Sequence, residues 1–424
     1  MVYVLALKEI RENLLSLKFY LVIILSGFLV LVSGYLMSRD YIDRLADYNL
    51  LKPDAGEARA IIPPSPMSIF VRGMDRQIGT AYDISFAGQI EVGSSQQSIN
   101  RVFGLFATPD LLYIIQVVLS LAAMLFAYDR ISGERESRTL PLLLSGSLSR
   151  AECILGKWLG GLVSFFVPLV VALIIGLTVV LIVNRIDFSG ADLIRLAVIL
   201  IIGGLYLTFF FSLGLFTSVR ASGRATSLVV ALFLWVLLVF IVPGMARSFA
   251  GTLRPLPTSG QIEMRRYHIW VSEIFNMIAE QKSDNPSPGK IGDIFRAIDR
   301  GNQEITDDYR PKLVARSGLT VNITRLSPTG SLVLAATDLA GTGRQEMVRL
   351  VDEVISYKNR VFAVDPGYNI NRPTDKPIPV FSHRRVSASE AFGRETWLDI
   401  LLLAAWLLIG FSLAYVGFIR ADVR

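Results

Sequence analysis

The residues that could take part in chemistry or docking are concentrated in one charged stretch, YDRISGERESRTLPLLLSGSLSRAECILGKW, residues 128–158. Long apolar runs flank this stretch on both sides. Glu134, Glu136, Arg138 and Arg150 supply charges of both signs within it. Such a cluster is either the solvated tip of a loop or a surface on which another protein docks.

The chain has no recognisable catalytic motif. A phosphate-binding G-x-x-x-x-G-K-[ST] loop is missing, because Gly156 and Lys157 are followed by Trp158. Neither G-x-S-x-G nor H-E-x-x-H occurs. With one cysteine and two distant histidines, the sequence predicts no disulfide, no metal site and no cofactor on this chain. We therefore do not expect an enzyme.

The elements that position the charged stretch are membrane helices. The 424 residues are 52% hydrophobic, with a mean hydropathy of +0.50, and such a chain belongs in a bilayer. The fold class predicted is an α-helical polytopic membrane protein with six transmembrane helices, since a crossing needs about 20 apolar residues. The six segments are 19–37, 111–128, 159–183, 196–219, 226–242 and 400–419. The apolar run near Ser331 is too short to cross.

The distribution of basic residues predicts the orientation. Most of the excess behind the net charge of +6 lies in the termini and in the loops after the second and fourth spans. Short loops rich in Lys and Arg stay in the cytoplasm, so both termini are expected inside. This explanation of the charge leaves no reason to expect nucleic acid. The spans are nearly free of ionisable residues, which argues against a proton-coupled transporter or an ion channel.

Two segments are predicted outside, 38–110 and 243–399, as a mixed but mainly helical domain. Alternation in YDISFAGQIEV, residues 82–92, predicts a strand. Thr342 and Gln345 have the spacing of a capping box. Two helical stripes are expected to form a core, Tyr267, Trp270, Ile274 and Ile278 in one and Met347, Val351 and Val354 in the other. An alternative is that part of this surface covers the outer mouth of the spans. Leu332, Val333, Leu334 and Leu339 are expected at the outer membrane boundary.

The charged loop, residues 129–158, has internal order. Ser149 and Glu152 form a capping box at the start of the third helix. Thr139 and Pro141 suit the start of a short helix, and Gly146 suits its end. Three leucines, Leu140, Leu143 and Leu144, share one face of it. They either fill a groove of a partner or lie against the membrane or neighbouring helices.

Residues 1–18 form an amphipathic helix. Tyr3, Leu7, Ile10, Leu14 and Leu17 recur at three- and four-residue spacing, with charges on the other faces. This pattern favours an elbow helix in the membrane interface over a plain cytoplasmic extension of the first span.

The loop resembles the signature of type 2 ABC exporter permeases, F-D-x-I-S-G-E-(K/R)-E-x-G-T-L followed by leucines, a Ser-Arg pair and I-L-G-K. Arg138 stands where that pattern has glycine. PPSPMSIFVRGMD and LSPTGSLVLAATDLAGTG are similar to a bacterial branch with large extracytoplasmic insertions. The matching positions in the loop are Ile131, Ser132, Gly133, Glu134, Glu136, Thr139, Leu140, Ser149, Arg150, Gly156 and Lys157.

The resemblance implies a permease subunit in the bacterial inner membrane that works as a dimer with a second permease, identical or related. Two copies of a separate ABC ATPase would bind ATP and Mg and contact the elbow helix and the loop. Glu134 and Glu136 would pair with basic residues of the ATPase, and Leu143 and Leu144 would fill its groove. The ATPase-coupling residues implied are Glu134, Glu136, Arg138, Thr139, Leu140, Leu143, Leu144 and Arg150.

Two functions remain open at this point. One is the export of an amphipathic or apolar substrate, such as a lipid, a peptide or a drug. The other is mechanotransmission, in which ATP cycles move the outer domain and act on an extracytoplasmic protein, for example in metalloprotein maturation. A membrane scaffold without an ATPase does not explain the loop.

Overall fold

A computed structural model describes residues 2–52, 57–78, 82–84, 90–92, 109–145, 149–183, 186–282, 288–365, 368 and 376–421. In that part of the chain, six helices are long and apolar enough to cross a membrane. This confirms the predicted polytopic α-helical fold. The six spans are Leu17–Leu50, Leu111–Glu136, Arg150–Leu181, Gly190–Arg220, Arg224–Leu253 and Arg394–Arg420.

Several helices run past the apolar segments that hydropathy marks. The first span continues to Leu50, and an Arg44–Asp40 pair one turn apart supports its polar extension. The fifth continues through Pro243, directly after the π-helical segment Leu237–Ile241. Because the hydrogen-bond register changes there, Pro243 occupies the first turn of a new α-helical segment, where a missing N–H is tolerated.

The fourth span is the centre of the bundle. It packs against the second and sixth spans and buries Tyr206, Phe209 and Phe210 completely or nearly so. The Phe209 ring meets the ring of Trp406 at 5.6 Å. Gly410 allows this close approach, since a Cβ there would lie 3.0 Å from the Phe209 ring.

The helix Pro328–Ala340, which we call the inserted helix, lies within this bundle and not at its outer boundary as expected. Leu332 and Leu339 are fully buried, and the helix packs against the fourth and sixth spans. Its start is fixed by the Ser327 hydroxyl, which donates to the Leu238 carbonyl at 2.5 Å. That carbonyl belongs to the π segment of the fifth span. The run is too short to cross, as predicted, but it fills the space between spans.

The outer strand prediction needs a correction, because two strands lie where one was expected. Tyr82–Ile84 and Ile90–Val92 pair antiparallel, with Ile84 opposite Ile90, and residues 85–89 lie outside the described residues. Arg59–Ala60 pairs with the first of them to give a three-stranded sheet. Both strands keep the period of two, so alternation alone does not show where one ends and the next begins.

A second core lies between this sheet and the helix Arg344–Val364, which we call the sheet helix. Its buried stripe is Leu350, Val354, Tyr357 and Val361. Of the predicted stripe only Val354 is buried, while Met347 is half-buried and Val351 exposed. The predicted capping box of Thr342 and Gln345 is absent. The N-cap residue is Gly343, which has no side chain to accept a hydrogen bond from the helix.

The helices Ser259–Gln281 and Pro288–Thr324 form an outer hairpin, and the second also packs on the fifth span. The expected core face of the first helix is mostly uncovered. Tyr267 is 58% exposed and stacks on Trp270, and Ile278 is exposed too. Periodicity identifies an apolar face, but it cannot tell what covers that face.

Candidate functional site

The short helix predicted in the loop is present as Leu140–Leu144, the leucine helix, with Pro141 in its first turn. Thr139 does not cap it through its side chain, and Gly146 lies outside the described residues. Leu140 is fully buried, whereas Leu143 and Leu144 are half-buried against the core. The leucine that faces outward is Leu142, 73% exposed, which the sequence analysis did not select.

Arg138 has a φ of 58°, in the left-handed region, between the helices Ser132–Glu136 and Leu140–Leu144. Left-handed backbone costs most residues about 1–2 kcal/mol but costs glycine little. This explains in physical terms why the resembling signature has glycine at this position.

We expect ATPase association to be retained better by Arg138→Gly than by Arg138→Val. A β-branched residue strains the left-handed turn further and shifts the leucine helix. Co-purification of the ATPase with each variant measures the effect. Equal retention by both variants would show that this turn does not position the docking face.

Glu134 is held inside its own chain by an ionic cluster of Glu9, Arg130, Glu134 and Lys157. The buried Lys157 ammonium donates to Glu134 at 2.6 Å and to Glu9 at 2.7 Å, and Arg130 lies 3.4 Å from Glu9. Two acids and two bases balance, so the buried charges are compensated. The cluster joins the N-terminal helix, the loop and the third span into one unit.

Glu136 is also engaged within the chain. Its Oε2 accepts from the backbone N–H of Arg224 at 2.9 Å, at the start of the fifth span. A carboxylate is favoured there by the positive end of the helix dipole. Both carboxylates therefore have partners within this chain, and their pairing with basic residues of an ATPase stays a prediction.

Two arginines of the loop cap the ends of other spans. Arg135, which the sequence analysis missed, donates to the carbonyls of Val219 and Ala221 at the end of the fourth span. Arg150 donates to the carbonyls of Ile419 and Ala421 at the end of the sixth, both at 2.8 Å. Cations are favoured at helix C-termini, so both contacts stabilise helix ends.

The loop start is fixed to the fourth span by Ser218. Its hydroxyl accepts from the backbone N–H groups of Ile131 and Ser132 at 2.8 and 2.9 Å. At the loop end, the predicted capping box of Ser149 and Glu152 is confirmed. The loop therefore contacts the ends of four spans.

The N-terminal helix, Val2–Leu14, is separate from the first span, which starts at Leu17. Leu5, Glu9 and Asn13 are buried, and Asn13 donates to Ser164 at 3.1 Å, whereas the charged Lys8, Arg11 and Glu12 are exposed. Its apolar residues Tyr3, Leu7 and Leu14 are exposed. This arrangement suits a helix whose outer face meets lipid.

Gly156 and Gly160 let the N-terminal helix approach the third span closely. A Cβ at Gly156 would lie 2.8 Å from Leu5, and one at Gly160 would lie 2.7 Å from the carbonyl of Ala6. Small residues four apart form the usual surface for close helix packing in membranes. In the Gly-Lys pair of the signature, Gly156 thus allows the N-terminal helix to pack closely, and Lys157 holds the ionic cluster together.

The two stretches that resemble the bacterial branch with large insertions, residues 63–75 and 326–343, contact each other. The N–H of Met74 donates to the Thr342 carbonyl at 2.7 Å, and the Thr342 hydroxyl donates to the Val71 carbonyl at 3.1 Å. Gly73 makes the approach possible with a φ of 49°, since a Cβ there would lie 2.5 Å from the Thr342 oxygen. This junction connects the segment after the first span to the end of the inserted helix.

His383 is held between two carboxylates of the sheet helix, 2.9 Å from Glu346 and 2.6 Å from Glu353. Burial of the ring opposes protonation, but the hydrogen bonds and charges of the carboxylates outweigh it, so the pKa of His383 is raised.

The raised pKa of His383 predicts that the outer domain loses stability as the pH rises. A folded-state pKa above the unfolded value contributes stability fully below the unfolded pKa, about 6.5 for His, and loses it as the pH passes the folded pKa. Melting temperatures measured from pH 6 to pH 9 should fall for the wild type, and the fall should be smaller for His383→Gln. Identical pH profiles for the two proteins would contradict this.

The fold and this loop define a class, a multi-pass helical membrane protein whose charged loop contacts the ends of its own spans. The chain belongs to the ABC-2 transporter family, since the family model described as "ABC-2 family transporter protein" matches residues 3–423. The comparison with curated proteins returned no match. The chain is thus a permease subunit of an ABC transporter, a membrane subunit that is not itself catalytic and whose family partners with an ABC ATPase.

Proposed function

We propose that this permease exports an amphipathic or apolar substrate, driven by two copies of a separate ATPase that dock on the leucine helix. It pairs with a second permease, the same or a related chain, in the bacterial inner membrane. The observation that carries the proposal is the exposed Leu142 on a helix whose surroundings are fixed to four spans.

The docking face that we propose differs from the one the sequence suggested. Leu142 and Pro141 are exposed and would enter the groove of the ATPase, flanked by the exposed Arg138 and Thr139. Leu140 instead supports the helix from inside, and Leu143 and Leu144 form its partly covered sides. An apolar tip with a polar rim is the usual composition of a docking contact.

Force then passes from the leucine helix through two routes. One runs from Glu134 through Lys157 to the third span and to Glu9 on the N-terminal helix. The other runs from Glu136 to the start of the fifth span. Short charge-assisted contacts suit this role, because their geometry is stiff and directional.

Mechanotransmission is the second candidate, and one observation favours it. The outer hairpin presents the exposed Tyr267, Trp270 and Phe275 on a helix with no buried residue among those described. Exposed aromatic side chains of this kind are typical of protein contact sites. In this case an extracytoplasmic protein, and not a transported molecule, would receive the motion.

Reconstitution tests the proposal and separates the two candidates. The permease and its ATPase are placed in liposomes, and ATP hydrolysis is measured with apolar compounds or with outer partner proteins added. Stimulation by a compound together with its movement supports export, whereas stimulation only by a protein supports mechanotransmission. If no ATPase co-purifies with the permease, both candidates fail.

The orientation is tested by labelling single cysteines with an impermeant maleimide in intact cells. We expect labelling at Asp187→Cys and Ser272→Cys, which are exposed at the outer side, and none at Ser145→Cys beside the leucine helix. Native Cys153 is fully buried, so a lack of labelling there would show only that the thiol is inaccessible, and not on which side of the membrane it lies. Labelling of Ser145→Cys alone would reverse the proposed topology.

A further inference from the structure

A cavity of about 390 Å³ lies among the first four spans. Its walls are almost wholly apolar, with Val30, Ile115, Leu119, Phe166, Leu173 and Leu207 among them. Among the lining residues that the structure describes, Ser33 alone has a polar side chain. Its hydroxyl already donates a hydrogen bond to the Pro109 carbonyl at 2.8 Å. The cavity therefore offers no group that would bind a charged or polar ligand.

The cavity lies in one half of the bundle. It is lined by the second span from Leu111 to Leu119 and by the fourth from Leu196 to Leu207, near where each of these helices begins on the outer side. Ile69 and Phe70, which belong to the segment after the first span, close it from above. Phe70 in turn packs on Phe188 at 5.6 Å. This places the cavity at the depth of the outer leaflet.

The mouth of the cavity faces sideways, toward lipid. Val170, Ile174 and Ile201 line it and are 49%, 59% and 64% exposed. At the far side, Ile115 and Leu119 are almost fully buried. In a bilayer, the hydrocarbon chains of lipids surround the mouth. An apolar cavity that is open to them can bind a hydrocarbon chain of matching size.

The size matches one aliphatic chain. An apolar cavity of about 150 Å³ binds benzene, with six carbons, so by proportion this one holds roughly 16 carbons. We propose that the cavity binds a single aliphatic chain, entering between the third and fourth spans with its end against Ile115 and Leu119. This inference needs the spans to lie in a bilayer, but it does not depend on the proposed coupling to an ATPase.

Gly204 offers a way to fill the cavity without disturbing the helices. A Cβ there would meet only Phe166, at 3.9 Å, which is ordinary contact distance. Gly204→Leu therefore extends a side chain into the cavity. Gly27→Leu is the matched control, because a Cβ at Gly27 in the first span meets nothing within 4 Å and Gly27 does not line the cavity.

The test is photocrosslinking of the full chain in nanodiscs, read by mass spectrometry of the labelled peptides. One arm uses phosphatidylcholine with a diazirine in one acyl chain, and the other uses a free fatty acid with the same group. We expect labelling of Ile115 and Leu119 in the wild type and in Gly27→Leu. In Gly204→Leu that labelling should fall at least tenfold, while labelling at the mouth persists.

Each outcome decides the proposal. Labelling at Val170 or Ile174 without any at Ile115 and Leu119 in the wild type would overturn it, and so would absence of labelling at both places. Equal labelling of Ile115 in the wild type and Gly204→Leu would show another route and would also overturn it. The wild-type result stands even if Gly204→Leu does not fold. The arm that labels identifies the chain's source as bilayer phospholipid or free fatty acid.

Discussion

Leu142→Asp should abolish association with the ATPase while membrane insertion and folding stay normal. Leu142 is 73% exposed, so the substitution removes little packing from the isolated permease. In a groove, a buried leucine contributes about 1.5–3 kcal/mol. An unpaired carboxylate forced into the same groove costs more than that again, so affinity should fall more than 100-fold. Co-purification and size-exclusion profiles measure the two properties separately.

Leu50→Asp is the matched control for this prediction. Leu50 is 82% exposed at the C-terminal end of the first span, so the same change in charge should leave the ATPase bound. Changing Leu143 and Leu144 is less informative, because both side chains are half-buried against the core and their loss also disturbs the fold. An intact complex with Leu142→Asp would show that the leucine helix is not the docking element.

Lys157→Met should destabilise the permease by about 3–5 kcal/mol, the usual cost of leaving buried charges without a partner. The substitution leaves the Glu9 and Glu134 carboxylates facing each other, with Arg130 near only one of them. The N-terminal helix and the loop should loosen together. Thermal unfolding of the purified protein, followed by the loss of its monodisperse peak, gives the size of the effect.

Two further variants show whether the ionic cluster itself is responsible. Lys157→Met combined with Glu134→Gln leaves Glu9 with Arg130 and restores charge balance, so most of the lost stability should return. Lys8→Met removes a lysine whose partner Glu12 is exposed, and surface pairs contribute less than about 1 kcal/mol. If the double variant is as unstable as Lys157→Met, packing and not charge explains the loss.

Features with a local cause were predictable from the sequence. The capping box of Ser149 and Glu152 depends on residues three apart, and the structure contains it as expected. The number of spans was also predictable, because a bilayer crossing needs a local run of about 20 apolar residues, and the chain has six such runs. The N-terminal helix follows from its own period.

Features that depend on distant partners were not predictable. Spacing placed Leu140, Leu143 and Leu144 on one face of the leucine helix, but the surrounding chain decides which face is covered, so Leu142 emerged as the exposed residue. Glu134 looked free because its partner Lys157 is 23 positions away in sequence. Lys157 belonged to the matched signature, and this was the one signal that could have identified its role.

The outer domain shows the same limit. Tyr267 and Trp270 have the spacing of a buried stripe, yet they are exposed. Leu332 and Leu339 suggested a boundary helix, yet they lie inside the bundle, where Tyr206 contacts the start of the inserted helix through Thr329 at 3.1 Å. Both outcomes depend on how helices assemble, which a hydrophobic period does not encode.

The most direct test of the account is a photoreactive phenylalanine analogue placed at Leu142 and activated in native membranes. The account predicts a crosslink to a separate ABC ATPase, and none from the same analogue at Val380, an exposed residue of the outer domain. A crosslink from position 142 only to lipid or to the permease itself would contradict the assignment of the leucine helix as the coupling element.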